Sequence, residues 1–386
     1  MVTDDRIWVD GSCGRCDTFA MSVIPVRREE ITPEWLAEQL SGPGDCEIAE
    51  LDHEELTGHN PDLSQLFRTR VEYVNRTPEH PDVVIVKIPP ADDEIRLREA
   101  ALGPYASELG SYRLPEGFQG GAMARMYAGV EDPDEQTVCF VFEDLGSLPA
   151  GQKYARIDHA IARFAVEFMA AYQARFWRDD TLAGKRWIRE NDWAHLFGAD
   201  PRDAAVGWQV IRDDDRFEKT GGLVAAGEYL GERLVDLQDA MRSRPNTLTH
   251  NDFHQGNVLL RENPESGAGP KPVIIDWQLA ACAGGTNDLA RFLMTAVPFE
   301  VLAESERGLV EHYADCLRTR GVHDYSTEEC WRDYRRAQVM VFANYAIAGV
   351  ERLADGSVAH SSGDSTYAVI KELALVDPNE LSALLP

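Results

Sequence analysis

Two short stretches constrain this chain more than anything else in it. The first is His250-Asn251-Asp252-Phe253-His254-Gln255-Gly256-Asn257-Val258-Leu259-Leu260; the second, Val273-Ile274-Ile275-Asp276-Trp277-Gln278, carries an acid 24 positions after Asp252. Residues 258–260, a polar connection containing Pro and Gly, and residues 273–275 read as two short buried strands joined by a hairpin. That hairpin returns Asp276 to the neighbourhood of Asp252 and Asn257. A carboxylate with an amide and a second carboxylate beside it can orient a hydroxyl nucleophile and hold a hard divalent cation through oxygen. His250-x-Asp252-x-His254 taken alone also suggests a metal site, although no Cys or carboxylate stands at a supporting spacing.

Length and charge narrow the classes around that pair. A chain of 386 residues has room for two lobes, each with its own core. Its 66 acidic against 38 basic residues give a formal charge of −28, which argues against nucleic acid as a partner, because a phosphate backbone demands a basic face. No apolar run is long enough to cross a bilayer, and the first residues (Asp4, Asp5, Arg6, Asp10) do not resemble a secretory signal. A soluble cytoplasmic protein with no membrane partner is the expectation. The seven cysteines are expected to be reduced thiols, and Cys13-Gly14-Arg15-Cys16 lacks both the second ligand pair of a zinc site and the preceding strand of a redox motif. Only 6 of the 38 bases are Lys, so Lys87, alternating out of the apolar run Val83-Val84-Ile85-Val86-Lys87-Ile88, stands out as a charge that needs a partner.

Periodicity divides the chain. Residues 1–20 show little of it and are expected to form a weakly ordered extension. After a short helix at 35–40, strand signals follow at 46–51, 66–74, 83–88, 122–127 and 137–142, with a helix over 92–109. From residue 157 the spacing turns helical, and helices are expected at 157–177, 223–241, 287–293, 298–321, 327–353 and 367–385. The expected fold is α+β and two-lobed, with a small β-rich N-terminal lobe over 21–146 and a large, mainly helical C-terminal lobe over 147–386.

The spacing His250-x-Asp252-x-x-x-x-Asn257, followed by an apolar strand ending in Asp276, resembles the phosphoryl-transfer loops of the protein-kinase fold. Phe140-Val141-Phe142-Glu143-Asp144-Leu145, His250-x-Asp252-Phe253, Ile275-Asp276-Trp277-Gln278 and Asp288-Leu289-Ala290 extend the resemblance. Together they look like the aminoglycoside phosphotransferase/choline kinase-type superfamily, which has a protein-kinase-like fold, and within it most like the ecdysteroid-kinase-like branch. The resemblance implies ATP and Mg2+ as cofactors and a small-molecule hydroxyl acceptor. It makes Asp252 the catalytic base, His250 a loop-organising residue, and Asn257 and Asp276 the magnesium ligands. It places Lys87 on the nucleotide phosphates with Glu99 as its partner, Ser64 at the end of a phosphate loop, and Glu143 and Leu145 in the crossover that receives adenine.

The sequence departs from those relatives in places. Asn251 stands where Gly often follows the His, which is closer to choline kinases, while Gln278 stands where those kinases carry an acid. The phosphate loop around Gly58 is poor in Gly. Candidates to contact the acceptor are Trp193, Trp277, Gln278 and Tyr334, since an aromatic wall suits a bulky, partly apolar alcohol; core packing is the alternative fate of such rings. A cationic acceptor of the aminoglycoside or choline kind, and a nucleotide-binding protein without catalysis, are the rival readings.

Overall fold

The structure, a computed structural model, describes residues 24–41, 46–56, 64–101, 103–114, 123–132, 137–146, 157–185, 187–190, 201–230, 232–261, 271–352, 358–360 and 363–384. The expected extension at 1–20, Cys13 and Cys16, the phosphate loop at 57–63 and Trp193 lie outside those residues.

Five antiparallel strands build the N-terminal lobe: β1 (Ile48–Glu55), β2 (Gln65–Tyr73), β3 (Val83–Ile88), β4 (Met126–Asp132) and β5 (Thr137–Glu143), in the order β1-β2-β3-β5-β4. Alternation along the strands sorts their side chains between two cores. Val84, Val86 and Ile88 of β3, with Cys139 and Val141 of β5, pack with Trp35 and Leu36 of helix α1 (Pro33–Ser41). Val138, Phe140 and Phe142 point the other way and join the large core that continues into the helical lobe. Lys87 shares that second face.

One expected helix is two. Gly103, with φ +74°, and Pro104 break the run into α2 (Asp93–Ala101) and α3 (Pro104–Tyr112). A left-handed glycine and a proline without a donor N–H both end a helical ladder. The break turns α3 inward, so that Leu109 and Tyr112 enter the large core and Glu108 lies buried beside β3.

The C-terminal lobe holds α4 (His159–Arg175), α5 (Asp180–Ala183), α6 (Pro201–Asp213), α7 (Gly221–Glu228), α8 (Glu232–Arg242), α9 (Thr286–Ala296), α10 (Phe299–Thr319), α11 (Thr327–Ala348), α12 (Asp364–Glu372) and α13 (Pro378–Leu384). The helix expected at 223–241 is split into α7 and α8, and the one expected at 367–385 into α12 and α13, the latter opening on Pro378. Helix α6 has no counterpart in the sequence reading. Short strands β7 (Asn246–Thr249), β8 (Val258–Arg261), β9 (Lys271–Ile274) and β10 (Ala281–Gly284) lie among these helices, following the two-residue β6 (Arg189–Glu190). Strands β8 and β9 form the expected hairpin, with Val258 opposite Ile274. Strand β7 pairs antiparallel with β10, a contact the sequence reading did not anticipate. The chain thus has the expected α+β, two-lobed layout. No helix among the described residues is long and apolar enough to cross a membrane.

Glu372, at the end of α12, is 2% exposed, and its Oε2 meets no partner among the described residues. Burial, and then repulsion from Glu306, push its carboxyl up to about 8 from an ordinary 4.5. A carboxyl that holds its proton more tightly when folded gives full stability below its unfolded pKa and loses it as pH rises through the folded one. Glu372→Gln is therefore expected to raise the melting temperature above about pH 8, by roughly 2–4 kcal/mol of stability, and to change it little near pH 4. Thermal melts of both proteins at the two pH values check this.

Candidate active site

Strand β7 leads into the loop from His250 to Asn257. Thr247 and Thr249 fix the strand by donating through their hydroxyls to the carbonyls of Gln173 and Ala281, at 2.6 and 3.0 Å. His250 follows, buried. Its Nδ1 accepts from the Asp252 N–H at 3.2 Å, so its Nε2 carries the hydrogen donated to the Ile275 carbonyl at 2.9 Å. Burial pushes the pKa of this imidazole down, which favours the neutral ring those bonds require. The ring also packs on Trp277, 4.6 Å between centroids, and Trp277 packs on Tyr172.

Asn251 takes φ +65°, a left-handed conformation that Gly adopts freely and Asn tolerates better than other residues. That is the physical link between the Gly of the relatives and the Asn here. The turn is held from below by Asp288, in the first turn of α9 and fully buried. Its Oδ2 accepts from the His250 N–H at 2.8 Å, the Tyr172 hydroxyl at 2.6 Å and the Gln173 amide at 3.2 Å, while its Oδ1 accepts from the Asn251 N–H at 2.7 Å. Burial raises its pKa, and the His250 ring and these donors pull the other way. The sequence reading noted Asp288 only as part of a motif and gave it no role.

Asp252 itself is mostly buried, its side chain 14% exposed. Its Oδ1 accepts from Arg291 Nη2 at 2.5 Å, and its Oδ2 lies 3.2 Å from Asn257 Nδ2 and 3.5 Å from His254 Nε2. Burial would raise this carboxyl, but the Arg291 guanidinium, followed by His254 and His250, outweighs it and holds the group well below the usual carboxylate range. Gly256 permits the close turn, because a Cβ there would stand 2.5 Å from the His254 ring; its N–H donates to His254 Nδ1 at 3.0 Å.

Asn257 is held by its amide nitrogen, which donates to the Asp252 carbonyl at 3.0 Å as well as to its carboxylate. The amide oxygen is thereby turned away from Asp252. The hairpin closes on the Asn257 carbonyl, which accepts from the Ile275 N–H at 3.0 Å, and the next residue is Asp276, at φ +66°. An amide oxygen and a carboxylate are hard donors of the kind Mg2+ takes, with phosphate and water completing its shell, so the residues present fit that ion. Among the described residues no group of three or more His, Cys, Asp and Glu is gathered to hold a metal, which leaves the His250-x-Asp252-x-His254 alternative without support.

Lys87 reaches this set from the other lobe. Its Nζ donates to Asp276 Oδ1 at 2.8 Å and to Glu108 Oε2 at 2.7 Å. Burial works against its charge, but Asp276 and then Glu108 outweigh it and its pKa lies above the ordinary value. Glu108 is raised, by burial in the first place, because Lys87 is shared with a second carboxylate. Among the described residues the glutamate on Lys87 is Glu108, 21 positions away. The helix break at Gly103-Pro104 is the reason: α2 ends before it, and α3 packs against the large core behind β3. The side chain of Glu99 lies outside the described residues.

Ser64 is buried just ahead of β2. In the crossover, the Glu143 carboxylate is occupied by the Arg125 N–H at 2.7 Å and by Arg261 of β8, and Leu145 packs partly buried against the large core. Two of the acceptor candidates are corrected by burial. Trp277 is 1% exposed behind His250, and Tyr334 is fully buried, donating to Glu306 at 2.9 Å, so both rings belong to the core. Gln278 is half-buried next to Trp277.

Residues 209–321 match the ecdysteroid kinase-like family. That ecdysteroid kinase-like segment contains Asp252, Asn257, Asp276, Asp288 and Arg291, and stops short of Lys87 and Glu108. No curated protein matches the chain in sequence. Among solved structures, the chain is similar to choline kinase from Cryptosporidium parvum, at 10% identity and TM-score 0.45, over 84% of this chain and 87% of that one. It is similar to Plasmodium vivax ethanolamine kinase at 11% identity and TM-score 0.44, over 84% and 80%. Aminoglycoside phosphotransferase APH(3'')-Id from Streptomyces rimosus is similar at 19% identity and TM-score 0.40, over 75% of this chain and 92% of that one.

Proposed function

We infer that this chain is an ATP-dependent kinase that phosphorylates a hydroxyl of a small, uncharged organic alcohol. The observation that carries the reading is a line of groups: Lys87 of the N-terminal sheet donates to Asp276 at 2.8 Å, the Ile275 N–H beside Asp276 donates to the Asn257 carbonyl at 3.0 Å, and the Asn257 amide donates to Asp252 at 3.2 Å. Phosphoryl transfer asks the protein for position and charge neutralisation more than for covalent chemistry, and this line supplies both. Bound Mg-ATP would supply the electrophilic γ-phosphoryl group and the cation that spreads its charge.

The residues divide the remaining work. Asn257, through its amide oxygen, and Asp276, through its carboxylate, hold the cation. Lys87, released from Asp276, carries its ammonium to the phosphates while Glu108 keeps it oriented. Backbone groups of the crossover at Glu143 and Leu145 receive the base, since the Glu143 carboxylate is already engaged. The Asp252 carboxylate would accept the acceptor's hydroxyl proton as the new O–P bond forms and the bond to the ADP oxygen breaks. The acceptor lies over Asp252, where Arg291 and His254 stand on the carboxylate. Arg291 already pairs with the Asp252 carboxylate, so that carboxylate offers no unpaired charge to draw an aminoglycoside- or choline-like cation.

ADP formation measured with sterols, simple alcohols, aminoglycosides and choline tests this. Turnover is expected with an uncharged alcohol and not with the cations. Turnover confined to the cations overturns the acceptor class, and none with any acceptor favours a nucleotide-binding protein without catalysis.

A further inference from the structure

We propose that Arg291 is a positioning residue for the transfer step, fixing the rotation of the Asp252 carboxylate so that its remaining acceptor direction faces the substrate hydroxyl. This assignment rests on the kinase reading above and adds to it a residue for which the sequence reading held no role.

The torsion that turns an aspartate carboxylate about its last bond is broad and roughly two-fold, so packing alone does not fix which oxygen points where. Here it is fixed from both sides. Arg291 Nη2 takes Oδ1 at 2.5 Å and Asn257 Nδ2 takes Oδ2 at 3.2 Å. Each carboxylate oxygen accepts two bonds, and Oδ2 also faces His254 Nε2 at 3.5 Å, so the acceptor direction left for a substrate hydroxyl is the second one of the anchored Oδ1.

Arg291 is itself well placed to act as a fixed point. It sits on α9 one turn after Asp288, the residue that holds the N–H groups of His250 and Asn251. One helix face therefore grips both the backbone of the catalytic loop and its reacting side chain. The Arg291 side chain is 12% exposed, and its guanidinium lies 5.5 Å from the Tyr345 ring centroid on α11, which restricts it further. Its Nε is buried and meets no acceptor among the described residues, and Asp252 is the carboxylate it bonds. A buried ion pair adds little net stability compared with apolar packing. Holding geometry is the role this arrangement serves better.

The test is a double-mutant cycle between Arg291→Ala and Asp252→Asn in the full chain, read by ADP formation from Mg-ATP with water as the acceptor and by binding of AMP-PNP in calorimetry. Arg291→Ala is expected to lower ADP formation about 100-fold, the scale of a misplaced reacting group, with nucleotide affinity unchanged within about two-fold. In the Asp252→Asn background the same change is expected to have no further effect, because the carboxylate it positions is gone. A purely structural arginine would instead multiply the two losses and weaken nucleotide binding with them, and that result overturns the assignment. Should Arg291→Ala fail to fold with Asp252 unpaired, Arg291→Lys keeps the charge without the planar fork; a loss of about 10-fold supports the assignment and wild-type turnover overturns it. A wild-type chain that forms no ADP with water or with any acceptor of the panel above overturns the kinase reading and this assignment together, whereas a dead Asp252→Asn beside a fully active Arg291→Ala overturns this assignment alone.

Discussion

Asp252→Asn is expected to lower phosphoryl transfer by about 1,000-fold or more, within the range by which a positioned general base accelerates such a step and close to its upper end because the residue also orients the nucleophile. The expectation follows from what the carboxylate touches. Its Oδ1 is committed to Arg291 and its backbone carbonyl to Asn257, so an amide of nearly the same shape keeps the loop in place. What the amide lacks is the charge that draws the hydroxyl proton. Nucleotide affinity depends on Lys87, Asp276 and Asn257 and is expected to stay within about three-fold of the wild-type value, so that kcat falls while the affinity for ATP does not. Rapid-quench or coupled ADP assays beside calorimetry with AMP-PNP separate the two. Near-normal turnover in this variant, on an acceptor the wild type uses, would remove Asp252 from the chemistry.

How much of this was legible in the sequence depends on what each residue is held by. The loop from His250 to Asn257 and the hairpin leading to Asp276 are local: their order along the chain already brings the groups together, so spacing and two apolar runs sufficed to place them. Lys87 was legible for a different reason, as a charge in an apolar strand that demands a partner. The partner was not. Choosing Glu99 assumed an unbroken helix over 92–109, and Gly103-Pro104, which was there to be read as a break, starts a second helix whose Glu108 bonds Lys87. Arg291 and Asp288 were missed as functional groups because their roles come from tertiary contact alone. They meet the loop 37 to 39 positions away in sequence, and nothing in their own neighbourhood announces it. The aromatic candidates Trp277 and Tyr334 failed in the opposite direction, since a large ring in a helical or loop segment is more often used to fill a core. Strand β7, only four residues long and flanked by Pro245, was too short to register as periodicity, yet it leads directly into the loop from His250 to Asn257.

Asp288→Ala is the second change expected to be severe, and its effect is the more instructive because the residue reaches no reacting atom. One carboxylate, fully buried, satisfies two loop N–H groups, a tyrosine hydroxyl and a glutamine amide. Removing it leaves the two loop N–H groups and the Tyr172 hydroxyl buried without this acceptor, while the Gln173 amide keeps the Gly285 carbonyl, at about 1–3 kcal/mol for each group that finds no water. The His250 and Asn251 N–H groups are the ones that hold the left-handed turn, and without them Asn251 has reason to relax out of φ +65°. A relaxed turn moves Asp252, the following residue, away from both Asn257 and Arg291. The expected outcome is a melting temperature lower by roughly 5–10 °C and turnover lower by about 100-fold or more in the fraction that remains folded. Asp288→Asn separates the two effects. It keeps the shape and one accepting oxygen but presents an N–H₂ to at least one N–H of the loop, so the fold is expected to survive better than the turnover. Thermal melts and single-turnover rates on both variants check this. An alanine variant with wild-type turnover would show that the turn is fixed by the chain around it and not by the carboxylate beneath.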